Sequence, residues 1–132
     1  MIKSIINALK QQGYKITSQR IEIIKTLTSM ADGHPTLNEL FEEVKKTLTR
    51  ISYSTLYDNL QKLESLDILR FFTLQGETHI EMNTKPHLNI VKRNTGEIID
   101  VNDPILVKDI LGRLNVNAEN YKFTLVNVLL DD

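Results

Sequence analysis

A chain of 132 residues is long enough for one moderate domain or two small ones that share a core or a partner, and it is too short for a large enzyme. With 41% hydrophobic and 25% charged residues it has the make-up of a folded, water-soluble protein, which argues against disorder and against membrane spanning. It contains no cysteine, so disulfides, thiolate nucleophiles, iron–sulfur clusters and cysteine-ligated zinc are excluded, and any metal must be held by nitrogen and oxygen.

The opening "MIKSIINALK" is too short, and too interrupted by Lys3, Asn7 and Lys10, to be a secretory leader, so a cytoplasmic location with no membrane partner is expected. From Thr17 to Met30, Ile21, Ile23, Ile24, Leu27 and Met30 recur at helical spacing, with Thr17 placed to cap. "DGHP" breaks the chain. Thr36 and Glu39 then form a capping-box pair opening a second amphipathic helix through Leu37, Leu40, Phe41, Val44 and Leu48. Ser52 can cap a third, whose Leu56, Leu60, Leu63 and Leu66 make a narrow apolar stripe. "ILRFFTL" and "THIEM" are β-rich runs separated by Gln75, Gly76 and Glu77, which predicts a hairpin. Three helices and then a hairpin is the order of a winged helix-turn-helix, so residues 1–82 are expected to be a DNA-binding domain.

"NTKP", residues 83–86, has the polar, proline-ended composition of a hinge. Beyond it "HLNIVKR" and "EIIDV" predict strands around a turn at Asn94–Gly96. Asp103 and Pro104 supply a cap and first-turn proline for a helix to about Leu114, and "YKFTLVNVLL" reads as a closing strand. This β-β-α-β unit, residues 87–132, has only about 45 residues and lacks the length for a good core of its own, so pairing with a second copy is expected. The fold class is therefore α+β, a winged helix followed by a small α/β dimerisation domain.

The third helix raises a functional question. With its leucines facing inward, Ser54, Thr55, Tyr57, Asp58, Asn59 and Lys62 fall largely on the other faces. Hydroxyls and lysine suit phosphates, and Asn and Tyr suit base edges in a major groove, but a plain solvated surface accounts for the helix alone equally well. Its position between a helix and a hairpin favours DNA. The charge balance helps only weakly: residues 1–72 carry ten Lys and Arg against eight Asp and Glu, and residues 73–132 six against nine.

Four segments in order, "GYKITSQR", "HPTLNELFEEV", "ISYSTLYDNLQKLESLDIL" and "HLNIVKRNTGEIIDV", resemble the ferric uptake regulator family of metal-dependent transcription repressors over nearly the whole chain. The resemblance implies that Tyr57 contacts bases in the major groove and that Lys15 reaches the minor groove. It further implies an AT-rich palindromic double-stranded operator and a homodimer. The DNA-facing set expected on this reading is Lys15, Arg20, Ser52, Ser54, Thr55, Tyr57, Asp58, Asn59 and Lys62. Asp58 and Glu77 at the wing tip are acidic departures that imply altered specificity or modest affinity.

The resemblance also implies that His34, Glu81, His87, Asn89 and Asp100 are ligands of one regulatory divalent metal per subunit, bound between the two domains. Such a mixed set suits Fe(II), Mn(II) or Zn(II) with little intrinsic selectivity. Asn89 stands where the family has histidine, and His79, on the same strand face as Glu81, is a candidate for the missing nitrogen, with an ordinary strand histidine as the alternative. Lys92 and Thr95 stand where many members have a C-x-x-C pair, so a cysteine-ligated structural zinc is excluded. Asp100 resembles the aspartate of the peroxide-sensing branch, in which a ligand histidine is oxidised. By position, His34 and His87 are the residues so marked. No nucleophile elbow, phosphate-cradling glycine loop or zincin helix supports an enzyme.

The expected function is thus a sequence-specific, metal-switched repressor. The alternatives are a metal-independent winged-helix regulator, or a metal- or protein-interaction module without DNA binding.

Overall fold

In the computed structural model, which describes residues 1–131, four helices begin on the side-chain caps that the sequence supplies. Helix α1 spans Ile2–Gln11, α2 Ser18–Met30, α3 Leu37–Val44 and α4 Tyr53–Ser65. Strands β1 (Arg70–Leu74) and β2 (Glu77–Glu81) follow, then β3 (His87–Lys92), β4 (Ile98–Val101), α5 (Pro104–Arg113) and β5 (Leu125–Leu130). Thr17 accepts from the Arg20 amide at 3.1 Å, Ser52 from Thr55 at 3.1 Å and Asp103 from Leu106 at 3.0 Å. Thr36 and Glu39 bond reciprocally, both at 3.0 Å, satisfying two amides that a helix N-terminus otherwise leaves unpaired.

The described residues fall into two compact units, Met1–Asn83 and the residues from Thr84 onward. In the first, Ile23, Ile24 and Leu27 of α2, Leu40 and Val44 of α3, and Leu56, Leu60 and Leu63 of α4 bury their stripes in one core. Helix α1, formed by the opening segment that is too short for a leader, adds Ile5 and Leu9 to it and packs on α2. Its Ile2, Ile5, Ile6, Leu9 spacing was the available signal. Helix α3 is shorter than expected: after Val44 the chain tightens into i→i−3 bonds, Lys46 to Glu43 at 3.2 Å and Thr47 to Val44 at 3.1 Å, and the Thr47 hydroxyl also bonds the Val44 carbonyl at 3.2 Å.

β1 and β2 pair antiparallel in the register Arg70↔Glu81 to Leu74↔Glu77. Gln75 (φ 52°) and Gly76 (φ 79°) make the two-residue turn, both left-handed, whose twist matches that of the strands. A further link positions the site: Thr36 bridges His79, and the Ile80 amide donates to the Pro35 carbonyl at 2.9 Å, which ties the hairpin to the segment entering α3.

In the second unit the strand order is β4-β3-β5, β4 antiparallel and β5 parallel to β3, with α5 packed on β3. The closing strand starts at Leu125 rather than Tyr121, because its partner β3 begins at His87, which stands opposite Leu125, and a 3-10 turn at Ala118–Asn120 precedes it. Leu88, Val91 and Val107 are the buried apolar residues of this unit, while Ile99, Ile105, Leu114, Tyr121, Val128, Leu129 and Leu130 stay exposed. Among the described residues no helix is long and apolar enough to cross a membrane.

Candidate metal-donor pairs and DNA-reading helix

His34 ends a short 3-10 turn in a left-handed conformation, φ 48° and ψ 60°, which is costly for a residue with a Cβ. The Nδ1 of His79 lies 2.8 Å from the His34 carbonyl. A carbonyl only accepts, so this contact requires the Nδ1–H tautomer of His79, and that proton helps hold the left-handed bend. The bend turns the His34 ring towards β2, where Nε2 stands 3.5 Å from Oε2 of Glu81 with both side chains almost fully buried. His79, half-buried and stacked on Phe72 with ring centroids 5.4 Å apart, is thus a buttress of His34.

The second unit carries a matching pair. Nδ1 of His87 donates to the Lys85 carbonyl at 2.7 Å, the outer-shell bond that fixes tautomer and ring direction in ligating histidines. Nε2 then stands 3.5 Å from Oδ1 of Asp100. Asn89 is fully buried, and both polar atoms of its side chain lack a hydrogen-bond partner among the described residues. Burying an amide unsatisfied is unfavourable unless something outside the chain meets it.

These observations test the fit of a divalent cation. Ligand atoms about 2.0–2.2 Å from one ion lie roughly 3 Å from each other, so imidazole–carboxylate separations of 3.5 Å are close to what shared coordination needs. The donors are nitrogen and oxygen, each pair has one carboxylate to offset cationic charge, and in the second unit the orphaned Asn89 oxygen is a hard donor already desolvated. The residues fit the group.

The helix α4 is organised more tightly than its sequence suggests. Ser52 bonds Thr55 Oγ1 at 2.8 Å and Ser54 Oγ at 3.2 Å, so the three hydroxyls form one cluster at the helix start. Tyr57 is half-buried, its ring stacked on Phe71 at 5.7 Å between centroids. The Asn59 amide donates to the Thr55 carbonyl at 2.8 Å and accepts from Arg20 Nε at 3.0 Å, while Arg20 Nη1 reaches the Lys15 carbonyl at 2.7 Å. Arg20 also lies over the Tyr14 ring at 5.5 Å, with Lys62 on the same ring at 6.0 Å. Arg20 and Asn59 therefore act as a strut joining α2, α4 and the Lys15 segment, a pairing 39 residues apart that no local pattern reveals. Lys15 and Asp58 are exposed.

A winged helix with a hydroxyl-rich helix α4, followed by a small β-β-α-β unit, each carrying a close imidazole–carboxylate pair, defines a metal-responsive transcription regulator. The chain matches the model of the Ferric uptake regulator family over residues 11–131, and it belongs to that family of transcription repressors. It is 40% identical over 124 residues to a ferric uptake regulation protein homolog of Archaeoglobus fulgidus, covering 94% of this chain and 91% of that one. It is 30% identical over 106 residues to the peroxide-responsive repressor PerR of Staphylococcus aureus, covering 80% and 71%. Its fold matches the ferric uptake regulator Fur of Helicobacter pylori, a structure that reveals three functional metal-binding sites, with a TM-score of 0.72 at 20% identity over 98% and 91% of the two chains.

Proposed function

We propose that this chain is a homodimeric repressor whose affinity for an AT-rich palindromic operator is set by one divalent transition metal per subunit, Fe(II), Mn(II) or Zn(II). His34 and Glu81 of the first unit and His87, Asn89 and Asp100 of the second are the donors. The observation that carries the reading is the pair of imidazole–carboxylate contacts at 3.5 Å together with the unsatisfied, fully buried Asn89 amide. When bound, the cation would supply a double positive charge among the imidazole and carboxylate donors.

The chain's own residues do the rest. His79 and the Lys85 carbonyl orient the two imidazoles, each through a backbone bond. Residues 83–86 serve as the hinge between a DNA-binding domain and a dimerisation domain, and donors drawn from both sides of it make coordination favour one arrangement over others. That arrangement spaces two α4 helices for a twofold operator. Tyr57 and the Ser52, Ser54 and Thr55 hydroxyls meet base edges and phosphates, and Lys15 and Lys62 add charge. The exposed apolar residues of the second unit support a subunit interface. A cytoplasmic location follows from the DNA target.

The test is anaerobic purification with elemental analysis, followed by operator gel shifts with and without each ion. Stoichiometric metal and an ion-dependent shift, both lost in Asp100→Ala, are expected. Operator binding indifferent to every ion and to Asp100→Ala would make this a metal-independent regulator.

A further inference from the structure

We propose that Asn127 is a further donor of the second unit, and that with it the site takes a hard, high-coordinate divalent cation such as Mn(II) in preference to Zn(II). This rests on the reading of His87, Asn89 and Asp100 as ligands, and adds to it a residue and a selectivity.

The strand register carries the inference. Asn89 on β3 stands opposite Asp100 on β4 and, on its other side, opposite Asn127 on β5. Residues in one rung project to the same face, with neighbouring strands about 4.8 Å apart. Three oxygen-bearing side chains therefore line one rung, with His87 two residues away on the same face of β3. The rungs on the opposite face hold Ile99, Ile90 and Val128, so the polar row is confined to one side.

A second observation points to a ligand. The Oδ1 of Asn127 is buried without a hydrogen-bond partner among the described residues, as are both polar atoms of Asn89. Two adjacent amide oxygens left unsatisfied in one rung are explained by a cation that both meet. An asparagine between Val126 and Val128 also runs against strand preference, so local structure does not call for it.

Within the second unit three side-chain oxygens stand beside one imidazole, and with His34 and Glu81 the set becomes four oxygens to two imidazoles, still weighted towards hard ions. Mn(II) accepts carboxylate and amide oxygens at high coordination number, whereas Zn(II) settles for four donors and favours nitrogen and sulfur. The alternative explanation is an Asn89–Asn127 amide pair, formed by rotation of the two side chains, that stiffens the sheet without metal.

The experiment is calorimetric titration of the chelator-stripped full chain with Mn(II) and with Zn(II), comparing wild type with Asn127→Ala and Asn127→Asp. Asn127→Ala should weaken Mn(II) about tenfold or more while changing Zn(II) by less than about threefold. Asn127→Asp, which keeps an oxygen and adds charge, should tighten Mn(II). With Co(II) as probe, Asn127→Ala should lower the coordination number by one and so intensify the weak, high-coordinate visible bands. An unchanged Mn(II) to Zn(II) ratio in Asn127→Ala overturns the proposal and favours the amide pair. If the alanine variant does not fold, an Asn127→Asp affinity equal to wild type does the same. Wild type that binds neither ion overturns the metal reading itself.

Discussion

At the scale of single residues, packing and recognition are mixed in the same side chains, and substitutions must separate them. Tyr57 stacks on Phe71, so Tyr57→Ala removes packing as well as a hydroxyl and is expected to cost about 2 kcal/mol of stability in urea denaturation. Tyr57→Phe keeps the stacked ring and should leave the denaturation midpoint nearly unchanged. A loss of operator affinity in that variant therefore reports on the hydroxyl at the DNA. Asn59 poses the opposite case. Its oxygen accepts from a half-buried guanidinium whose Nη1 is already held by the Lys15 carbonyl, so Asn59→Ala should destabilise the first unit by about 1 kcal/mol, measured by the same denaturation. Stability equal to wild type would show that the strut to Arg20 contributes little and return Asn59 to the candidates for base reading.

At the scale of elements, caps and turns fix where the chain changes direction, and these were legible because each depends on one or two residue types at a fixed offset. The hairpin turn is the clearest test. Gly76 has φ 79° and a Cβ built there meets nothing within 4 Å, so the whole effect of Gly76→Ala is backbone strain, about 1 kcal/mol by thermal or urea unfolding. A cost several times larger would mean that the turn holds more than its own geometry. The tie between β2 and the α3 entry is a different kind of feature. It brings His34 to Glu81 through a bridge between Thr36 and His79, residues 43 positions apart in the chain, and nothing in either local segment announces it.

At the scale of the molecule, the second unit buries Leu88, Val91 and Val107 and leaves a row of apolar side chains in water, among them Ile99 at 39%, Val128 at 39% and Leu130 at 48% exposure. Ile99 and Val128 share a rung through Ile90, on the face opposite Asn89. For the proposed homodimer, Val128→Lys should therefore shift the protein from dimer to monomer in sedimentation equilibrium at micromolar concentration, with the first unit still folded. A dimer as tight as wild type would move the interface elsewhere. Metal removal is the complementary test. An ion that binds only the folded chain raises stability by about 2.7 kcal/mol at one hundred times its Kd, so chelation should lower the melting temperature and re-addition should restore it.

The sequence alone determined the starts of the four capped helices, the hairpin, the hinge composition and the family, because periodicity, capping pairs and turn residues act over a few positions and survive in one dimension. It also fixed the chemistry available to the site, since a chain without cysteine offers a metal only nitrogen and oxygen. It left α1 unread, ran α3 too far towards Leu48, where the Thr47 bond to Val44 competes, and began the last strand at Tyr121, before any partner residue on β3 is available. Tertiary structure decided which polar groups are spent on the protein itself. Arg20 and Asn59 turn out to join helices, and His79 to prop His34. The same folding brings Asn127 into line with Asn89 and Asp100, as strand register, set by pairing between distant segments, decides which side chains share a face.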